Sequence, residues 1–363
     1  MNLVFDTKAF ANEGSVEFRR SEAVKSILKS AIEKGLLYAA AVPLEKNKKV
    51  TAVLARSPET FDGANLSWDF MNINMASVVS DITKKASPPS DRKIGALLRS
   101  CEARALVELV KLNQASPENL ITIGFDCFGA YPVRRFLYQP DLPIREACLI
   151  CEHPEPLNTD ISIGMAGLDD DGLIILRGGS ENGNAFLASL EGTEATEEQL
   201  KKHENAIAAI KKERIAKREE VFARYKTEIY GFDKLSEVLA SCINCHNCRN
   251  VCPVCFCREC LFDSPTFEWK ADNYISWSGK HGAVALPEGR LLFHLTRLNH
   301  MSASCVGCGV CEEACPNGIS VFSLFGFSGD RVQAAFDYEA GRSPDEPLPV
   351  TEFRENELES IGN

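Results

Sequence analysis

The stretch CINCHNCRNVCPVCFCREC, residues 242–260, places seven cysteines in nineteen positions. Four of them follow the run Cys-x2-Cys-x2-Cys-x3-Cys-Pro: Cys242, Cys245, Cys248 and Cys252, with Pro253 behind the last. The same run returns at Cys305, Cys308, Cys311 and Cys315, followed by Pro316. Three thiolates two residues apart can wrap three irons of a cubane from one turn of chain, and the fourth, before proline, reaches the neighbouring cluster. The expected ligand sets therefore cross. Cys242, Cys245, Cys248 and Cys315 would hold one [4Fe–4S] cluster, and Cys305, Cys308, Cys311 and Cys252 the other. Zinc does not favour this run. Cys255, Cys257 and Cys260 fall outside the pattern. They are expected to be buried, reduced thiols beside a cluster, with an extra metal site or a redox-labile thiol as open alternatives.

The remaining cysteines sharpen this reading. Of fifteen in the chain, four precede residue 152, none lies between 152 and 241, and eleven fall between 242 and 315. Clustering at two- and three-residue spacing is a metal pattern rather than a disulfide framework. The N-terminal segment MNLVFDTKAFANEGSVEF has no basic start followed by an apolar run, so no signal peptide is expected. No stretch reaches the roughly 18–20 apolar residues that cross a bilayer, which implies a cytoplasmic protein. A formal net charge of −11 argues against a nucleic-acid surface, because phosphate binding draws on clustered Lys and Arg.

Residues 1–190 alternate strands and helices, the mark of an α/β domain. AVKSILKSAIEKGLLYAAAVPL repeats apolar Val24, Ile27, Leu28, Ala31 and Ile32 at helical spacing before a strand. KIGALLRSCEARALVELVKL is a strand, a turn and a helix expected from near Glu102; NLITIGFDCFG and DGLIILRGG are strands closed by glycine. Cys101 and Cys127 fall at strand carboxyl ends, where such domains bind ligands. Residues 191–231 are a charged helical connector, with Thr193 as the expected cap and Glu-to-Lys pairs four apart. It is expected to be solvated, with a docking surface as the alternative. Residues 232–330 form the cluster domain, expected to be mainly α-helical. Residues 331–363 are an acidic tail, and from Asp337 an extended or disordered arm is expected.

Cys148-x2-Cys151 joins Cys101 and Cys127 to make four thiols in the N-terminal domain, the number a third [4Fe–4S] cluster needs; scattered core cysteines are the other reading. No GxGxxG or GxxxxGK[ST] run is present.

Two resemblances add to this. The cluster domain resembles the α-helical ferredoxin domains of succinate dehydrogenase iron–sulfur subunits and heterodisulfide reductase small subunits. NINMASVVSDI, KIGALLRSCEARALVELVKLNQASPENLITIGFDCFGAYP and CLICEHPEPLNTDISIGMAG together resemble the coenzyme F420 hydrogenase/dehydrogenase beta subunit family. That resemblance spans roughly residues 20–170. It implies an α/β flavoprotein-like domain that binds FAD and a [4Fe–4S] cluster and exchanges electrons with coenzyme F420. It also implies Cys101, Cys127, Cys148 and Cys151 as cluster ligands. Asn72, Asn74, Ser77 and Arg99 are candidate flavin contacts. The implied partners are subunits of a hydrogenase, a formate dehydrogenase or a heterodisulfide-reductase-type complex. Where that family carries a glycine turn at the first helix, this chain reads SVEFRR. A flavin-free cluster relay without substrate chemistry of its own therefore stays open beside the oxidoreductase reading.

Overall fold

Strands buried on both faces read as continuous apolar or small runs, and three such runs make the centre of the sheet. The computed structural model describes all residues except 12, 48, 86–91, 134–138, 140, 171, 258, 266–269, 283–288, 354 and 356–363. The strands are β1 (Asn2–Asp6), β2 (Ala39–Lys46), β3 (Lys49–Ala55), β4 (Asn65–Leu66), β5 (Ile94–Arg99), β6 (Leu120–Phe125), β7 (Ile161–Gly164), β8 (Leu173–Gly178) and β9 (Thr193–Glu194). They join in one mixed sheet of order β3-β2-β5-β6-β7-β8-β1-β9, with β4 beside β2. Pairings from β2 through β5 and β6 to β7 are parallel; the flanking ones are antiparallel.

Alternation along each strand sends neighbouring residues to opposite faces. Val42, Leu97, Ile121 and Ile123 meet Val24, Leu28 and Ala31 of helix α1 (Val16–Glu33). Ala41, Ala96 and Leu98 meet α2 (Met75–Lys85) and α3 (Ser100–Lys111) on the other face. Helix α3 starts two residues before Glu102, because the Glu102 carboxylate accepts the Arg99 backbone N–H (2.8 Å) and so caps the first turn.

After α4 (Glu146–Leu149) and α5 (Glu181–Leu187), a single helix, α6 (Glu197–Ile229), extends roughly 50 Å. Its cap is Thr196, which accepts from the Gln199 backbone; Thr193 lies in β9 instead. Most of α6 is solvated, as a charged connector would be, but one side is not. His203, Arg214, Val221, Phe222 and Tyr225 are buried along it, and its end packs on Ile150 and Phe322. Five inward residues over 33 positions give too sparse an apolar stripe to stand out from the charges around them.

From Phe232 onward the described residues form helices and turns without a strand: α7 (Phe232–Val238), α8 (Asn247–Asn250), α9 (Ala271–His281), α10 (Arg290–Met301), α11 (Val310–Glu313) and α12 (Val321–Ala335). Helix α12 runs past residue 330, where the sequence suggests an end. No helix among the described residues is long and apolar enough to cross a membrane.

The acidic tail is docked as far as Leu348 rather than free. Tyr338, Ala340 and Leu348 are buried against α3. The fully buried Glu108 accepts from the Tyr338 hydroxyl (2.5 Å), the Gly341 backbone (2.8 Å) and Lys111 (2.9 Å). Arg104 donates to the Ala340 carbonyl (2.9 Å), and Gly341, at φ +77°, lies so close that a Cβ there would meet that of Arg104 at 2.4 Å. Low apolar content hid a segment held mainly by polar contacts. Residues 356–363 lie outside the described part.

Replacing Tyr338 by Ala removes a buried ring and its bond to Glu108. We expect a loss of about 3 kcal/mol in chemical denaturation; a loss below about 1 kcal/mol would mean that the tail adds little to stability.

Candidate functional site

The two cysteine runs fold into matching loops. Asn244 and His246 adopt left-handed backbone at φ 55° and 59°, and Gly307 and Gly309 occupy the equivalent positions at 68° and 69°. Only short polar residues and glycine take that conformation readily, so its repetition reflects a shared requirement of the loop. In each loop the backbone N–H two residues on turns to the first sulfur. Asn244 donates to Cys242 Sγ (3.4 Å), and Gly307 does the same for Cys305. The following helices, α8 and α11, end with Cys252 and Cys315 donating back to Arg249 (3.1 Å) and Glu312 (3.0 Å).

Cys242, Cys245, Cys248 and Cys315 line one pocket with Pro316. Cys252 sits instead with Cys305, Cys308 and Cys311, whose sulfurs act on one another. Thus the fourth cysteine of each run joins the other run's triplet. Burial pushes the Cys248 and Cys305 thiols up to about 11 each. Among the described residues no three His, Cys, Asp or Glu side chains close on a point suited to one metal ion. The donor set is all thiol, in quartets, a set shared by zinc and iron–sulfur sites, and the crossed Cys-x2-Cys-x2-Cys-x3-Cys-Pro runs suit the polynuclear iron–sulfur group.

The four N-terminal cysteines also converge. Cys101 follows β5 in the first turn of α3, Cys127 follows β6, and Cys148 and Cys151 bracket the end of α4. Burial pushes the Cys127 thiol up to about 12, with Cys148 adding to the rise and Arg99 opposing it. The Ala130 backbone donates to Cys148 Sγ (3.3 Å). Arg214 of α6 reaches the carbonyls of Cys127 (3.1 Å) and Cys151 (3.4 Å). Cys101, Cys148 and Cys308 pack together around Met71, Ala130 and Val310. Gly309 fits so closely on α4 that a Cβ would come 2.5 Å from that of Ala147.

The candidate flavin contacts do not share one cavity. Asn72 is exposed and donates to the Val50 carbonyl (3.0 Å). Asn74 is buried, accepts from the Ala76 backbone (3.0 Å) and lies beside the Cys308 thiol. Ser77 sits half-buried in the first turn of α2, its backbone bonded to Asn74. Arg99 is buried and donates to the carbonyls of Ser67 (2.8 Å) and Phe70 (2.7 Å). The cavity at the carboxyl end of β6 measures about 620 Å³ and is lined by Trp68, Phe125, Phe128, Tyr131, Asp126 and Cys127, among others. That volume is within the ~300–1,000 Å³ of small-molecule sites. Isolated aromatics carry no spacing signal, which is why the sequence did not single them out. Of its lining residues Asp126 is tied to α6: Arg177, which can only donate, meets His203 Nδ1 (2.6 Å), so Nε2 carries the proton toward Asp126 (2.7 Å).

Residues 237–319 match the 4Fe-4S dicluster domain family. Over 280 residues the chain is 26% identical to the F420-dependent formate dehydrogenase subunit beta of Methanocaldococcus jannaschii, covering 65% of this chain and 70% of that one. The F420-dependent formate dehydrogenase 1 subunit beta of Methanococcus maripaludis is 25% identical over 304 residues, 71% of this chain and 75% of the relative. The chain is a relative of these beta subunits. A chain of the F420-reducing [NiFe] hydrogenase complex from Methanosarcina barkeri superposes with a TM-score of 0.48 at 16% identity, over 64% of this chain and 94% of that one. The dicluster match supports two [4Fe–4S] clusters within residues 237–319 of this chain.

The surplus cysteines differ from one another. Cys257 is exposed, whereas Cys255 and Cys260 are half-buried, Cys260 among the hydrophobic residues of the dicluster domain. Burial pushes the Cys255 thiol up, with Arg297 opposing.

Two predictions follow from the loops. Gly309→Ala puts a side chain at positive φ against Ala147. It should cost about 1–2 kcal/mol and loosen α4, read by thermal unfolding and by faster amide exchange at Ala147–Cys151. His294 lies 3.5 Å from Cys242 Sγ, and burial, Arg297 and His246 hold it down to about 4. Its folded value is below the ordinary 6.5, so its contribution to stability is present above pH 6.5 and fades as pH falls to about 4. His294→Gln should flatten acid unfolding across that window; an unchanged slope would exclude this contribution.

Proposed function

We propose that the chain is the electron-relay subunit of a multi-subunit oxidoreductase. It would exchange electrons with a hydride carrier through FAD in the Trp68–Tyr131 cavity and pass them along three [4Fe–4S] clusters to a partner subunit. The names of its relatives point to coenzyme F420 as the carrier and to a formate dehydrogenase as the assembly. The observation that carries the reading is continuity. The cavity reaches Cys127, Cys127 sits with Cys148, Cys148 packs with Cys308, and Cys308 leads through Cys252 toward Cys248. The run ends near the exposed Cys245 and the half-exposed Ile243, an exit for electrons to a partner.

The residues fit these groups as follows. Cys101, Cys127, Cys148 and Cys151 would hold the cluster next to the cavity. Cys305, Cys308, Cys311 and Cys252 would hold the middle one, and Cys242, Cys245, Cys248 and Cys315 the outer one. Trp68, Phe128 and Tyr131 offer ring faces for a planar heterocycle, and the Trp68 Nε1 is buried without a partner. FAD there supplies the exchange between a two-electron hydride and single electrons. Phe125 and Met165 exclude water from the inner wall, while Asp126 is held in place by the Met165 and Ala166 backbones (2.6 and 2.9 Å).

One observation favours the flavin-free relay. Glu17, Asp69, Asp126 and Asp169 ring the cavity, and its buried Arg20 is already paired with Asp169 (2.8 Å). A pyrophosphate would have to lie outside it.

Iron, acid-labile sulfide and flavin should be quantified per chain after anaerobic purification. Three quartets predict about twelve irons with one flavin. Cys127→Ser should bring the count to about eight with flavin retained. About eight irons and no flavin in the wild type would instead make the chain a two-cluster relay.

A further inference from the structure

Two buried guanidinium groups lie at the junctions between the thiol quartets, and among the described residues neither meets a carboxylate. Arg145, just before α4, places Nη2 3.6 Å from Met71 Sδ and 3.8 Å from Cys148 Sγ. Its Nε and Nη1 are buried without a hydrogen-bond partner. The groups that hold its charge are first Cys148, Cys308 and Cys101, thiols from the N-terminal quartet and from the middle one, and after them the Glu313 carboxylate, which forms no ion pair with it. Arg297, on α10, donates to Cys248 Sγ (3.1 Å) and to the Cys248 carbonyl (3.2 Å), with Nε again unpartnered. Its guanidinium stacks 4.3 Å from the Phe325 ring centroid. Cys248 of the outer quartet acts on it first, then Cys252 and Cys311 of the middle one.

Other arginines buried to a similar degree behave differently. Arg20, Arg99 and Arg249 each meet a carboxylate, at Asp169, Glu102 and Asp263, while Arg214 spends its donors on the Cys127 and Cys151 carbonyls rather than on a sulfur. A guanidinium cannot shed its proton, and a buried charge without a counter-charge is strongly unfavourable. At Arg297 the missing negative charge is left to the thiolates when the sites are loaded, and at Arg145 they supply most of it beside the more distant Glu313. Four thiolates carry more negative charge than a cluster core neutralises. Every added electron increases that excess, and a cation alongside lowers the cost of taking it up.

We propose that Arg145 and Arg297 are the charge compensators of the relay, each shared by the two clusters flanking it and each raising the reduction potentials of both. A planar guanidinium presents five donors in a fixed fork to sulfurs on both sides, whereas an ammonium is a compact charge with three rotatable donors. This inference rests on the cluster assignment proposed above. Iron and sulfide content of the wild type reports on that assignment, whereas the midpoint potentials report on the arginines.

The test is an anaerobic redox titration of the loaded full-length protein followed by electron paramagnetic resonance. Arg297→Gln should lower the potentials of the middle and outer clusters by about tenfold in the reduction equilibrium, about 59 mV for one electron, and leave the N-terminal one unchanged. Arg145→Gln should lower those of the N-terminal and middle clusters and spare the outer one. Arg→Lys at either position should give smaller, unequal shifts. Unchanged potentials in a Gln variant of full iron content would overturn the proposal. Where a Gln variant loses iron, thermal unfolding of the iron-free proteins decides. Arg297→Met should then melt above the iron-free wild type, because it removes an uncompensated charge; equal or lower melting would overturn the proposal.

Discussion

The seat of Cys308 against the carboxyl ends of the parallel strands organises the molecule. There, the second cysteine run meets Cys101 at the start of α3, Cys148 at the end of α4, and the segment around Met71. Everything nearby secures that meeting. Arg104 of α3 holds the Val306 carbonyl (3.3 Å) and the tail carbonyl of Ala340 (2.9 Å). Gln333 of α12 holds the carbonyls of Ser302 (3.1 Å) and Cys305 (2.8 Å). Two parts of the chain built on different periodicities, a sheet and a set of short helices, thereby share one interior.

The cluster loops were legible because their chemistry is local. Ligands for one cluster lie two residues apart, so spacing alone reveals them, and the left-handed positions at Asn244, His246, Gly307 and Gly309 repeat the same phase. The α/β character of the first part was also legible, since strand and helix periods differ. The parallel core follows that reading; the antiparallel β8, β1 and β9 do not, because strand order depends on contacts far apart in the chain. Asn74 and Arg99 attracted notice as polar residues beside strand ends. In the fold they serve the start of α2 and the segment around Phe70, within reach of the cysteines; neither lines the aromatic cavity, although Arg99 lies over the Phe125 ring in its wall.

What stayed hidden is mostly polar. The docked tail depends on Glu108 and Arg104, and a composition rich in acid and proline points the other way. Arg145 and Arg297 were invisible for a related reason. A lone arginine has no characteristic spacing, and only burial, with the absence of a carboxylate, distinguishes it from a surface residue. Thr196 took the capping role from Thr193 because Gln199 lies three residues beyond it and can answer its backbone N–H (2.9 Å), a reciprocity that favours one threonine over the other.

Helix α6 has a consequence beyond joining two regions. One rigid rod contacts the Asp126 loop through His203, the Cys127 and Cys151 carbonyls through Arg214, and Glu146 through Arg224 and Tyr225. Loops splinted to a common beam move together, so separations between the thiols they carry fluctuate less than free loops would allow. Dipoles fixed in advance need little rearrangement when charge passes. In the relay proposed above, such a beam would stiffen the surroundings of the N-terminal thiols and keep small the nuclear motion that each electron hop must wait for.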